Sequence, residues 1–479
     1  MIRAFRKLVF LLGLSIAASV TAQAAPAPAS AQPIPALLVS DVHFEPFWDS
    51  AKVPQLIAAP VSQWQAILAS PASPDQAERF ADLYAKCPTR GKDTTYALFA
   101  SSLEAMRAQA PNARFITLSG DLISHSFPCK FKATVPSATP QQYEAFVVKT
   151  IQFVLSEIRA AFPNVPLYAA LGNNDSGCND YQIDPNGSFL ADINRAFTGA
   201  LSASERKAAE VSFAAEGDFS AALPAPFHHT RILVIDNLFQ SKKYKTCSGK
   251  EDDSGAKAQN AWLRAQLENA RKHHENVWVM GHIPPGIDPF VTIVKMKNVC
   301  AGKKPTVFLS SDDLANTLAD YGDVIRLAIF AHTHMDEMRL LSVPGKKPVA
   351  VKMVPSISPV NGNNPSFTIA SIDPRTATML DYRVIVASNQ TGIHTEWTQE
   401  YDYGQAYHEP AYAAPELAAL IHTFTDDPDV QSPASHAYLH YYYVRDLSLE
   451  LRLFWPQYTC ALSNFTEDGY RACRCATAK

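Results

Sequence analysis

Three features of the chain predict an α/β fold. Short apolar, β-prone runs alternate with segments whose apolar residues recur at helical spacing. Five polar blocks end or follow such runs in a fixed order: Asp41-Val42-His43, Gly120-Asp121, Gly172-Asn173-Asn174-Asp175, Gly281-His282 and Ala331-His332-Thr333-His334. Beyond about residue 390 the texture changes to helical segments with many aromatics, Tyr438 and Tyr441 to Tyr443 among them.

Taken in order, Ala36 to Ser40 reads as a buried strand whose end delivers Asp41 and His43. Pro54 to Ser70 and Thr94 to Gln109 have helical spacing. Arg114 to Ser119 is the next strand and stops at Gly120-Asp121. Gln141 to Ala161 is an amphipathic helix, and Pro166 to Leu171 a strand running into Gly172. Arg231 to Asp236 is a strand, Asn260 to Lys272 a helix, and Asn276 to Met280 a strand ending at Gly281-His282. Val324 to Phe330 leads into the His332/His334 block. Lys347 to Val354, Ser366 to Asp373 and Ala377 to Ala387 read as antiparallel strands. Loops at strand ends can carry ligands without disturbing a core.

Composition narrows the class. An apolar content of 47% supports a sizeable core. Residues 1–24 read as a signal peptide: Arg3, Arg6 and Lys7 are its basic end, Leu8 to Val20 its apolar stretch, and Ala22-Gln23-Ala24 its cleavage site. Residues 25–35, rich in Ala and Pro, read as a flexible leader, residues 36–389 as the main domain, and 390–479 as a helical C-terminal extension packed on it. No later run is apolar enough to cross a bilayer, so a secreted or periplasmic protein is expected, with peripheral membrane contact left open. The formal charge is −4, and loss of the basic signal makes the mature chain more acidic, which disfavours long nucleic acid as a partner. Eight cysteines in an exported chain read as disulfides, with Cys460 expected to pair with Cys473 or Cys475.

The five blocks supply carboxylate, amide and imidazole donors: Asp41, His43, Asp121, Asn173, His282, His332 and His334. Asp121 has two oxygens and can bridge two ions, Asn173 offers a neutral hard ligand, and the imidazoles suit zinc, iron or manganese. Singly, each doublet is common and more often structural than metal-binding. Their joint order at strand ends points to a two-metal site that hydrolyses a phosphate ester.

At these residues the chain resembles the calcineurin-like metallophosphoesterases and, within them, the acid sphingomyelinase-like phosphodiesterases. Longer matches carry the second resemblance: Gln259-Asn260-Ala261-Trp262-Leu263 running to Val277-Trp278-Val279-Met280-Gly281-His282-Ile283-Pro284-Pro285-Gly286, His332 to Glu337, and Pro355 to Pro359 with Asn364 to Phe367. The resemblance implies two β-sheets sandwiched by helices, and two divalent metals, usually zinc. It assigns Asp41, His43, Asp121 and His334 to one metal, and Asp121, Asn173, His282 and His332 to the other. It also implies attack on a phosphodiester by a metal-bridging hydroxide, with His125 as the candidate general acid.

Two positions depart from the wider pattern. Asn174 stands where the superfamily has a histidine, which shifts acid catalysis to His125 or water, or leaves Asn174 to hydrogen-bond a phosphate oxygen. Ala331 replaces the usual glycine. Only a short leader precedes Asp41, without a lipid-extracting domain, so nucleotides and other soluble esters compete with a phospholipid head group as substrate. An endopolyphosphatase is an alternative, with Lys242, Lys243, Lys245, Lys250, Lys295, Lys297, Lys303 and Lys304 as its candidate rim. A non-catalytic phosphate-binding protein is a second alternative. Phe44, Phe47 and Trp48 are candidates for substrate stacking or for packing.

Overall fold

The computed structural model describes residues 32–445 and 448–476, so the signal and most of the leader lie outside the described residues. Twelve strands are assigned among them. The first six are β1 (Ile34–Val39), β2 (Ile116–Leu118), β3 (Leu167–Ala169), β4 (Phe219–Ala222), β5 (Thr230–Val234) and β6 (Asn276–Met280). The others are β7 (Ile325–Phe330), β8 (Glu337–Leu341), β9 (Val349–Met353), β10 (Ser366–Ile372), β11 (Met379–Ala387) and β12 (Trp397–Asp402). They form two six-stranded mixed sheets, ordered β12-β11-β10-β1-β2-β3 and β4-β5-β6-β7-β9-β8. The runs β1-β2-β3 and β5-β6-β7-β9 are parallel.

Parallel pairing brings the ends of β1, β2 and β3, and those of β6 and β7, to a common edge where the polar blocks follow. Ala36 to Val39, Val277 to Met280 and Leu327 to Phe330 are buried along their whole length, as strands covered on both faces must be. Helices cover the sheets. The longest, Pro140–Ala161, starts at a capping box in which Thr139 and Gln142 satisfy each other's backbone N–H.

The structure differs from the sequence reading at β9, read as an antiparallel strand, which pairs parallel with β7 and antiparallel only with β8, and in three further places. The stretch 54–70 is two helices, Val53–Ala58 and Trp64–Ala69, interrupted at Pro60, which has no N–H to give. Strand β8 follows the His332/His334 block directly, its charged residues Glu337 and Arg339 buried as a pair at 2.9 Å. The segment after 390 opens not with a helix but with β12, whose residues pair with β11; the polar WTQEYD sequence hides a partly solvated edge strand. Helices follow from Tyr403 onward.

All eight cysteines pair: Cys87–Cys129, Cys178–Cys247, Cys300–Cys475 and Cys460–Cys473. The last is one of the two pairings expected for Cys460. Phe44 and Phe47 are core residues, and so are Tyr403, Tyr412, Tyr438 and Trp455 of the aromatic C-terminal region. No helix among the described residues is long and apolar enough to cross a membrane.

Candidate metal centre

The cluster is built by turns at strand ends. Asp41, His43, Asp121, His332 and His334 all have positive φ, between 42° and 72°, a conformation that is costly outside glycine and concentrates at functional sites. The turn after β1 lies along the turn after β2, with Asp41 N donating to Gly120 O and His43 N to Asp121 O. Gly172 is required by space: a Cβ there would lie 2.1 Å from Asp121 Oδ1. Ala331, by contrast, does not have positive φ; the unusual backbone falls on the histidines either side of Thr333.

The seven residues proposed from the sequence come together, and six of them are buried, with His332 partly so. His43 Nε2 lies 3.2 Å from His334 Nε2, 3.4 Å from Asp121 Oδ2 and 3.7 Å from Asp41 Oδ1. His334 Nε2 is 3.3 Å from Asp41 Oδ1. Beside this group, His282 Nε2 is 3.1 Å from Asp121 Oδ2, 3.2 Å from Asn173 Oδ1 and 3.3 Å from His332 Nδ1. Asp121 is common to both groups.

These atoms are acceptors facing acceptors. His43 Nδ1 donates to Ile123 O and His282 Nδ1 to Ser119 O, so in each neutral ring Nε2 presents a lone pair to the cluster. Both oxygens of fully buried Asp41 lack a hydrogen-bond donor. Such a set is unfavourable without cations. With zinc–ligand distances of about 2.0–2.1 Å, the edge of a coordination tetrahedron is about 3.3 Å, which matches the spacings above. The donor set therefore fits two divalent ions.

Before any cation binds, protons take its place on two of the rings. Burial, the largest single influence, lowers the pKa of His43 and His282, but the carboxylates of Asp121 and Asp41, joined at His43 by Asp93, together outweigh it and hold them up at about 10 and about 9. His332 and His334, buried and pressed against neighbouring imidazoles, fall to about 3. Two protons take the charge that the carboxylates demand.

Outer partners fix the donors. Asp180 accepts from Asn173 Nδ2 at 2.8 Å, which turns Oδ1 toward His282. Tyr181 Oη lies 3.3 Å from His332 Nε2 and accepts from Lys243 Nζ at 3.3 Å. Asp175 accepts from the backbone of Gly172, Leu122 and Ile123, tying two of the turns together. Asn174 donates to Asp121 through its backbone N at 2.8 Å and its Nδ2 at 2.9 Å. Asn174 thus engages a cluster carboxylate, the orientation expected of a positioning group rather than a free proton donor.

His125 sits at the cluster's open side. Its ring stacks on His43 with centroids 4.0 Å apart, and its side chain is 31% exposed. Asp93 accepts from its backbone N at 2.8 Å and its Nδ1 at 3.0 Å. Ser358 Oγ also donates to Asp93, and Lys130 bridges Asp93 and Glu45 beneath. Burial acts against the Asp93 charge, but His125 and Lys130 hold its carboxyl well below the usual carboxylate range. Asp93, Asp180 and Tyr181 escaped the sequence reading because no motif spacing marks them.

A cleft of about 480 Å³ opens over the cluster. Its walls include Arg90, Lys243, Phe290 and Phe308, and its far side comes from Tyr442 and Tyr458 of the C-terminal region.

Comparison with known proteins agrees with this geometry. The profile of the calcineurin-like phosphoesterase family matches residues 34–336. A sphingomyelinase phosphodiesterase D of Dictyostelium discoideum is 27% identical over 327 residues, covering 66% of each chain. The mouse acid sphingomyelinase-like phosphodiesterase 3b is 25% identical over 82% of this chain and 80% of its own. A mouse cyclic GMP-AMP phosphodiesterase is also 25% identical, over 80% of this chain and 81% of its own.

Proposed function

We propose, from the premise that this chain belongs to the calcineurin-like phosphoesterase family, that it is an exported two-metal phosphodiesterase of the acid sphingomyelinase-like type. The observation that carries the reading is the pair of acceptor-only donor sets sharing Asp121 beneath an open cleft. Asp41, His43, Asp121 and His334 would hold one ion, and Asp121, Asn173, His282 and His332 the other. Zinc fits the mixed imidazole and carboxylate donors, with iron and manganese as alternatives. When bound, the ions supply Lewis acidity to the phosphoryl oxygens and activate the attacking water.

The chain's own residues do the rest. Asn174 and Gly172 set the carboxylate of Asp121 that both donor sets share, one by hydrogen bonds and the other by leaving room for it. Asp93 holds Nδ1 of His125, so Nε2 is the ring atom left to carry a proton to the departing alkoxide. Lys243, at the rim beside Tyr181, offers a cation for a non-bridging or neighbouring phosphate oxygen. The signal-like N-terminus and the four disulfides support export to a periplasmic or extracellular space.

Relatives whose names describe sphingomyelin-type and cyclic dinucleotide phosphodiesterases support a diester substrate. The test is turnover by the purified protein, with metal content measured in parallel. The panel holds a chromogenic diester, sphingomyelin, a cyclic dinucleotide, a nucleoside triphosphate and polyphosphate. Diester cleavage with two metals per chain is the expected result; two metals without turnover of any ester would reject an enzyme in favour of a phosphate-binding protein.

A further inference from the structure

Two short helices flank the mouth of the cleft, Pro289–Val294 and Leu449–Leu453. Phe290 and Val291 of the first line the cleft, as do Ser448 and Glu450 at the start of the second. A separate groove is lined by Ile293 at the end of the first helix and Met296 just beyond it, and by Phe454 just beyond the second.

The outward faces carry apolar tips. Val294, Met296, Leu449 and Leu453 are 59%, 90%, 73% and 76% exposed, four of the six large apolar side chains that stand open among the described residues. Singly such residues are ordinary; these four belong to the two segments whose neighbouring residues line the cleft, and apolar tips so placed mark an interaction surface. Met296 adds an independent sign. Its φ is 48°, so the backbone adopts a left-handed turn at a side chain that packs against almost nothing.

The charge around these tips selects the occupant. Lys295 and Lys297 flank Met296, Lys242 and Lys295 both lie within electrostatic reach of Lys297, as do the carboxylates of Glu467 and Asp288, and none of the three lysines makes an ion pair among the described residues. Lys304 beside them is paired with Glu467 at 3.2 Å. A self-pairing interface between two copies would gather like-charged lysines into one desolvated patch. An anionic lipid surface instead takes apolar tips into its acyl boundary and lysines to its phosphates.

We propose that this rim seats the protein on a phospholipid surface containing anionic lipid, with Val294, Met296, Leu449 and Leu453 entering the interface and Lys295 and Lys297 meeting head-group phosphate. The docking stands without the hydrolytic reading. The substrate class it implies, a lipid-borne phosphodiester delivered to the cleft mouth, rests on that reading.

The test is sedimentation of the full protein with vesicles of phosphatidylcholine, alone or with about one third phosphatidylserine, beside hydrolysis of a soluble chromogenic diester. The wild type is expected to sediment with the anionic vesicles and to be released by salt. A Met296→Ser, Leu449→Ser, Leu453→Ser variant is expected to bind at least about tenfold more weakly, at unchanged thermal midpoint and unchanged turnover of the soluble diester. A Lys295→Gln, Lys297→Gln variant is expected to lose the preference for anionic vesicles. A wild type that stays in solution with both vesicle types overturns the proposal, as does a triple variant that binds equally well. So does a wild-type dimer that the triple variant makes monomeric, since the surface would then belong to a second copy. Failure to cleave any diester would overturn the hydrolytic reading while leaving the vesicle result to stand or fall alone.

Discussion

The metal cradle and the wall facing it across the cleft are built by opposite means. The cradle is made of backbone turns locked between parallel strands, with its donors buried and fixed by outer carboxylates and carbonyls. The wall comes from the last stretch of chain, short helices stitched by Cys300–Cys475 and Cys460–Cys473 and bearing exposed apolar side chains. The difference separates chemistry from selection: a rigid edge holds the reacting groups, while an appended segment shapes what reaches them. Changes in the cradle should act on turnover, and changes in the wall on recognition and stability.

The largest expected effect breaks the cradle. Asp121→Asn removes a charge shared by both donor sets, and His282→Ala removes the nitrogen that meets Asp121, Asn173 and His332. Each should lower kcat for a chromogenic diester well beyond the roughly 10–100-fold typical of outer-partner changes. Metal analysis should show fewer than two ions per chain, and the far-ultraviolet circular dichroism should be unchanged. Retained turnover would remove the site from consideration.

Next is Asp93→Asn, which sharpens the comparison inside the cradle. An amide cannot accept through both of its ends, as the Asp93 carboxylate accepts from the His125 backbone N and from Nδ1, so the ring is no longer held with Nε2 toward the leaving group and its donation weakens. General acids typically contribute about 10²–10⁴-fold, and a loss near the lower end is expected for an alkyl leaving group. A p-nitrophenyl leaving group needs no proton and should lose several-fold at most. A purely structural role for Asp93 predicts equal losses with both.

These two tests also show what was legible in the sequence. The proposed metal donors announce themselves because their blocks follow apolar runs and must turn back toward one point, so Asp41, His43, Asp121, His282, His332 and His334 sit at recognisable strand ends. Asp93, Asp180 and Tyr181 reach the cluster from loops, where any spacing can be accommodated, and nothing local distinguishes them. Strand β8 was hidden by Glu337 and Arg339, which read as solvent-facing until their pairing in the core is seen. Strand β12 was hidden by its position at a sheet edge, where polar residues are tolerated. Pro60 was a visible break that the helical spacing around it outweighed.

The wall can be loosened without touching the proposed metal cradle. Cys300→Ser with Cys475→Ser opens a link across 175 residues. Disulfides typically contribute about 2–4 kcal/mol, so the thermal midpoint should fall. Metal content should stay at two, and KM for a bulky diester should rise more than kcat falls. An equal fall in kcat for small and bulky esters would show instead that the wall supports the cradle itself.

The smallest expected effect is a pH dependence confined to the join between sheet and wall. Glu400, on β12, accepts from Arg445 N through Oε1, while Oε2 is buried without a donor. Burial and the neighbouring Asp336 carboxylate outweigh Arg445 and raise its pKa to about 8. The folded state therefore binds this proton more tightly than the unfolded chain, whose glutamates titrate near 4.3. The sign follows from linkage: this contribution to stability is fully present below the unfolded pKa and is lost as pH rises through about 8. Glu400→Gln keeps the acceptor for Arg445 N and removes the charge. Its thermal midpoint should match that of the wild type near pH 4.5 and exceed it modestly at pH 8, with metal content and small-diester turnover unchanged. Parallel pH profiles for the two proteins would show that Glu400 ionises freely and that the wall is more open to water at β12 than its burial implies.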